Sequence, residues 1–143
     1  MDQMTVNNFD LYLKTFKSLR KMLPIANPQF NLLYRGSKDG FTASAFHAKV
    51  DGQGPTLIMI KSEFGKRFGA YVSKGFSSTK QDVEDEKARL FSLNNDMCLQ
   101  PCYFLKKTLT HDPAALVVLG NQNDLVIVDN CNQGGCKTWL GSK

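Results

Sequence analysis

Residues 30–73 read FNLLYRGSKDGFTASAFHAKVDGQGPTLIMIKSEFGKRFGAYVS, and this stretch decides the fold. Residues 30–35 read as an apolar lead-in strand. Asp39 is placed to cap a short helix over 40–49, with Phe41, Ala45, Phe46 and Val50 near one face. Asp51-Gly52 and Gly54-Pro55 then break it. Residues 56–61 form a strand in which Leu57, Ile58, Met59 and Ile60 follow one another, too apolar for a strand with one wet face. Residues 62–67 turn the chain, and 68–72 return it as the second strand of a hairpin. The stretch is a scaffold with no evident catalytic constellation.

Before this unit, Val6, Phe9, Leu13, Phe16, Leu19 and Leu23 recur at spacings of three or four, which predicts an amphipathic helix over 1–24 closed by Pro24. Such a basic helix can lie on a membrane or enter a partner's groove. Six large apolar residues more simply call for burial on the chain's own sheet. After the unit, residues 74–87 read as a polar loop with a solvated acidic patch. Strands are expected over 88–94, 103–109, 114–119 and 125–128, the last two joined as a hairpin, and Trp139 anchors the tail. Hairpin-length links favour antiparallel pairing. The expected architecture is mainly β with helices (α+β): a two-layer antiparallel β-sandwich flanked by an N-terminal helix and a short second helix. The corresponding division is 1–24, a helix packing on the domain, and 25–143, the sandwich.

The 143 residues are enough for one domain with a real core. Lys plus Arg number 18 against 13 Asp plus Glu, a net charge of +5, which is too mild to select a nucleic-acid partner. No apolar run approaches a membrane span, and the start resembles neither a signal nor a transit peptide. A cytoplasmic, reducing compartment is the expectation, with the four cysteines as free thiols.

Cys98 with Cys102, and Cys131 with Cys136, can supply a zinc tetrahedron only if two separate turns meet. Cys98, Cys102 and Cys131 have no Lys, Arg or His beside them to activate a thiolate, and only Cys136 has a cation next to it, Lys137. His47 sits on the short helix, where bonding to backbone or carboxylate is its ordinary use, and His111 precedes Asp112-Pro113 in a turn and is expected to face water. No Gly-x-Ser-x-Gly elbow accompanies them, and a Cys131–His47 pair has no sequence support beyond arithmetic. Asp82, Glu84, Asp85 and Glu86 lack the ligand spacing of a calcium loop. Lys61, Lys66, Arg67 and Lys74 interleave with Phe64, Phe68, Tyr71 and Phe76, as in single-strand binders, but core packing accounts for most of these aromatics. Neither a dinucleotide fingerprint nor a phosphate loop is present. No cofactor, metal or nucleic acid is expected.

The organising stretch resembles the TLDc domain family. The resemblance rests on Leu32-Leu33-Tyr34-Arg35, Asp39-Gly40-Phe41, Phe46-His47, Gly52-Gln53-Gly54-Pro55-Thr56-Leu57 and Phe68-Gly69-Ala70-Tyr71. It continues through residues 85–93, Gly120, Asp124-Leu125 and Asp129-Asn130-Cys131-Asn132, covering most of 10–143. Ala70 stands where the family usually has a second glycine, and Arg89 where it has a large apolar residue. Family members usually continue past residue 143 into a further strand, so an incomplete C-terminal edge, open to a partner segment or a second copy, is an expectation. The resemblance implies a helix-flanked β-sandwich. It also implies a non-catalytic interaction domain tied to oxidative stress protection, with the vacuolar proton-pumping ATPase as a possible partner. Tyr34, Asp39, His47, Asp85, Glu86, Asp129, Asn130 and Cys131 are the structural or interaction candidates. The competing readings are a thiol-redox or small hydrolytic enzyme using a late cysteine, and a zinc-stabilised domain.

Overall fold

The computed structural model describes residues 17–21, 23–26, 29–94, 97–99, 109–120 and 123–138. The expected strand over 103–109 falls almost wholly outside them, as do Cys102, Trp139 and the first sixteen residues of the N-terminal helix. Of the helix expected over 1–24, residues 17–21, 23 and 24 are described: 17–21 are helical, and Leu23 and Pro24 already lie in a bend.

Two antiparallel sheets make the body. The first has four strands in the order β1-β2-β4-β5: β1 Thr56–Lys61, β2 Arg67–Val72, β4 Arg89–Ser92 and β5 Met97–Leu99. The second has five in the order β3-β6-β7-β8-β9: β3 Asp82–Val83, β6 Leu109–Thr110, β7 Ala115–Leu119, β8 Leu125–Val128 and β9 Lys137–Thr138. The two hairpins expected from the sequence are present as β1–β2 and β7–β8.

The apolar runs sort by strand alternation, since successive side chains point to opposite faces. Ile58, Ile60, Phe68, Ala70, Val72 and Leu90 of the first sheet meet Leu109, Leu116, Val117, Leu119, Leu125 and Ile127 in one core. Leu57, Tyr71 and Phe91 occupy the other face and pack with Leu19 and Leu23 from the N-terminal segment. That is part of why residues 57–60 look too apolar for a one-sided strand: around Leu57 the first sheet is packed on both faces, while Met59 on the outer face is left exposed. Leu109, Leu119 and Leu125 are at most 1 % exposed, and burial of each such side chain contributes about 1.5–3 kcal/mol.

Gly69 has a steric job on the outer face. It pairs with Phe91 across β2–β4, and a Cβ there would lie 2.8 Å from the Phe91 ring and 1.9 Å from the Ile58 carbonyl oxygen. Ala70 beside it is wholly buried in the core.

Four expectations need correction. The short helix does not start at Gly40 under an Asp39 cap. A one-turn helix, α1 (Gly36–Asp39), comes first, Gly40 breaks it at φ +96°, and α2 runs over Ala43–Val50. Asp39 is drawn back to the Arg35 N–H at 2.8 Å, so Thr42 caps α2 instead, its Oγ1 accepting from the Ala45 N–H at 3.2 Å. Residues 30–35 join no sheet: Leu33 and Tyr34 pack against the core as neighbours, while Leu32 is 74 % exposed, a pattern incompatible with strand alternation. The loop over 74–87 contains the short strand β3. Cys98 lies in β5, paired with Phe91, and not in a turn.

Candidate functional site

Helix α2 is bolted to the sandwich at both ends, and most of the candidate residues belong to one bolt or the other. At its N-terminal end the Asp129 carboxylate accepts the Ala43 N–H at 2.6 Å from 86 residues away, satisfying a donor that the first turn leaves unpaired. Asn130, in the left-handed region at φ 52°, donates to Asp129 Oδ2 at 2.8 Å and leads into a 3-10 turn over Cys131–Gln133. Tyr34 donates its hydroxyl to the Gly40 carbonyl and sets its ring edge-on to Phe46 at 5.3 Å. Burial raises the Tyr34 pKa, and the electrostatic influence of Cys131 and Asp39 adds to it. Asp39 also pairs with Lys49 at 3.2 Å, and its carboxyl is lowered by the Arg35 N–H first and by Lys49 next.

The C-terminal bolt is a polar cluster. His47 Nδ1 lies 2.7 Å from Asp51 Oδ1, and Nε2 lies 2.8 Å from the Ala115 carbonyl and 3.1 Å from the Asp112 carbonyl. Both ring nitrogens therefore face acceptors only, which calls for two N–H donors, the imidazolium. Burial pulls the His47 pKa down, but Asp51, the Ala115 carbonyl and the Asp112 carbonyl together raise it. Asp51 Oδ2 takes the Ser78 hydroxyl at 2.6 Å. Ser, His and Asp are thus adjacent, but in the wrong order for acyl transfer. The serine bonds the carboxylate, and no imidazole nitrogen is free to accept its proton. The same commitment leaves His47 no nitrogen to accept a proton from Cys131.

His111 corrects an expectation. It does not face water but is 5 % exposed beside this cluster. Its Nδ1 accepts the Ser77 N–H at 2.9 Å, and its backbone bridges Lys80 and Gln81. A nitrogen that accepts must carry a lone pair, so His111 is the neutral Nε2–H tautomer. Burial lowers its pKa, and the His47 charge lowers it further against the opposing pull of Asp51.

Asp85 corrects another. It was grouped with a solvated acidic patch, yet it is 1 % exposed. Its oxygens accept the Ser73 N–H at 2.5 Å, the Ser73 hydroxyl at 2.6 Å, the Lys74 N–H at 3.2 Å and the Lys87 N–H at 3.1 Å. Asp82, Glu84 and Glu86 remain on the surface, and Glu86 lends its carbonyl to Arg89 at 2.9 Å. With Asp85 turned inward, the four acids do not converge. Among the described residues no three His, Cys, Asp or Glu side chains gather as a metal site.

Cys131 is half-buried against the core and Cys136 exposed, both as free thiols. Burial pushes the Cys131 thiol up, and Cys136 adds to this, the opposite of what a reactive thiolate needs. Among the described residues no helix is long and apolar enough to cross a membrane.

Sequence reading missed Asp51, Thr42, Ser77 and Ser78. A His47–Asp51 pair at the i,i+4 spacing was visible, but Asp51-Gly52 had been spent on ending the helix. The family model described as the TLDc domain matches residues 11–142 of the chain. No curated protein matches it.

Proposed function

We propose, from the premise that this chain belongs to the TLDc domain family, that it is a non-catalytic protein-interaction domain. The observation that carries the reading is His47, the residue best suited to proton transfer, whose two nitrogens are both held by structural acceptors. Asp51, Asp85 and Asp129 are likewise spent on hydroxyl or backbone N–H groups. Tyr34, Asp39, His47, Asp85, Asp129 and Asn130 hold the architecture, and Cys131 fills the core's margin.

The contact surface on this reading is the loop over 80–86, where Lys80, Asp82, Glu84 and Glu86 are exposed around the buried anchor Asp85. The anchor fixes the loop's shape, and a pre-shaped charged loop loses little entropy on binding. By family resemblance the partner class is the vacuolar proton-pumping ATPase, in a cytoplasmic setting, with oxidative stress protection as the cellular outcome.

The test is affinity capture of the tagged protein from its native cells, read by mass spectrometry, beside a Lys80→Glu/Glu84→Lys variant of matched melting temperature. Pump subunits recovered in near-equal amounts with the parent, and lost with the variant, support the reading. Absence of pump subunits from both baits removes the pump as partner. Deleting residues 1–24 is a poorer control, because Leu19 and Leu23 cover Tyr71 and Phe91.

A further inference from the structure

The basic and aromatic residues interleaved over 61–76 separate in the fold. Phe68 packs on the core between the sheets, Tyr71 lies beneath Leu19 and Leu23, and Phe76 is buried. Phe64 alone of these rings is presented to solvent, at 82 % exposure. It sits at the apex of the β1–β2 hairpin. That turn is closed by the Ser62 N–H to the Lys66 carbonyl at 2.9 Å, the Gly65 N–H to the Ser62 carbonyl at 3.0 Å and the Lys66 N–H to Ser62 Oγ at 3.2 Å. A single exposed ring is ordinary by itself, and it gains meaning here from the charges that share its turn.

A second observation lies at the foot of the same turn. Lys61 and Arg67 are directly opposite across the ladder. Since Ile60 and Phe68 face the core, both cations project from the outer face, where Met59, two residues back, is 46 % exposed. Like charges at opposed ladder positions disfavour pairing. Among the described residues neither is offset by an ion pair. Lys66 adds a third cation, against one acid, Glu63.

We infer that this hairpin tip is a contact for anionic lipid bilayers. Phe64 enters the boundary between headgroups and acyl chains, and Lys61, Lys66 and Arg67 meet the lipid phosphates. An apolar apex ringed by cations fits a plane of diffuse negative charge, and the like-charge pair is relieved when anions cover it. Single-stranded nucleic acid fits less well, because its binders stack successive bases on several rings and here one ring is available. The contact is separate from the loop over 80–86 and does not depend on the partner proposed above.

Co-sedimentation of the whole protein with vesicles tests it, using phosphatidylcholine alone and phosphatidylcholine mixed with phosphatidylserine. The protein is expected to pellet with the anionic vesicles and not the neutral ones, and added salt weakens this retention. Phe64→Ser is expected to lower partitioning about tenfold with the melting temperature unchanged, because an exposed ring leaves no cavity. Lys61→Glu/Arg67→Glu keeps a like-charge pair in the ladder while inverting its sign, and is expected to abolish retention. No retention on anionic vesicles, equal retention on both kinds, or full retention by Phe64→Ser overturns the inference. Retention on polyglutamate beads without retention on vesicles also overturns it and assigns the tip to an acidic polypeptide.

Discussion

His47 and His111 occupy the same polar cluster and hold opposite protonation states. Both are nearly out of contact with solvent, and both feel Asp51. What separates them is the partner at each ring nitrogen. His47 meets a carboxylate and two carbonyls, so it donates twice. His111 meets the Ser77 N–H, so it accepts. Burial by itself depresses both pKa values. Only where acceptors surround the ring is that depression overcome.

The contrast breaks most severely at His47. His47→Ala strands the Ala115 and Asp112 carbonyls and leaves Asp51 without its cationic partner, and we expect a loss of about 3 kcal/mol, measured by denaturant titration. His111→Leu removes the acceptor for one backbone N–H while keeping apolar bulk, so the expected loss is smaller, about 1–2 kcal/mol by the same measurement.

Titration sharpens the difference, because the two shifts run in opposite directions from the same ordinary value of 6.5. The His47 pKa is raised on folding, so its stabilisation is fully present below pH 6.5 and is lost as pH rises through the folded value. The His111 pKa is lowered on folding, so its stabilisation is present above pH 6.5 and is lost as pH falls through the folded value. Melting temperature followed across this range is expected to lose its alkaline-side decline in His47→Ala and its acid-side decline in His111→Leu. Imidazole nitrogen NMR across the titration is expected to keep His47 protonated at both nitrogens to higher pH than His111, which loses its proton first and becomes the Nε2–H tautomer. A His47 that loses its proton before His111 breaks the comparison. The smallest effect belongs to Ser78→Ala: an exposed hydroxyl is lost from Asp51, at about 0.5 kcal/mol, and the His47 titration stays in place.

How much of this could be read in the residues depends on the distance along the chain over which each feature is decided. Strand β8 matches its expected bounds and β7 falls within one residue, because short β-branched runs between turn residues carry their own signal. A structural use for His47 was expected from its place on a short helix, but its partner Asp51, four residues away, was not identified. His111 was misread as a wet turn residue because its partner, Ser77, is 34 residues distant. Asp85 was misread because three acids beside it do face water, and nothing local distinguishes the one that reaches back to Ser73. The Asp129 bond to Ala43 spans 86 residues, so the sequence named Asp129 only through family likeness and did not name Ala43. Asp39 was misplaced as a helix cap because two acceptors, Asp39 and Thr42, stand near one helix start, and Gly40 decides between them.

From Ala70 to Val72 strand β2 is covered on both sides, and this weakens the usual safeguard on its alignment. In a strand with one wet face, sliding by one residue exposes the core set and is rejected by water. With Tyr71 covered on one side and Ala70 and Val72 on the other, water votes only at the Arg67 end of the strand. Volume takes over: the Phe91 ring needs a neighbour without a side chain, and a one-residue slip sets Phe68 or Ala70 in the place of Gly69. Gly69 therefore acts as the notch of a key, encoding by emptiness the frame in which two strands must be read against each other.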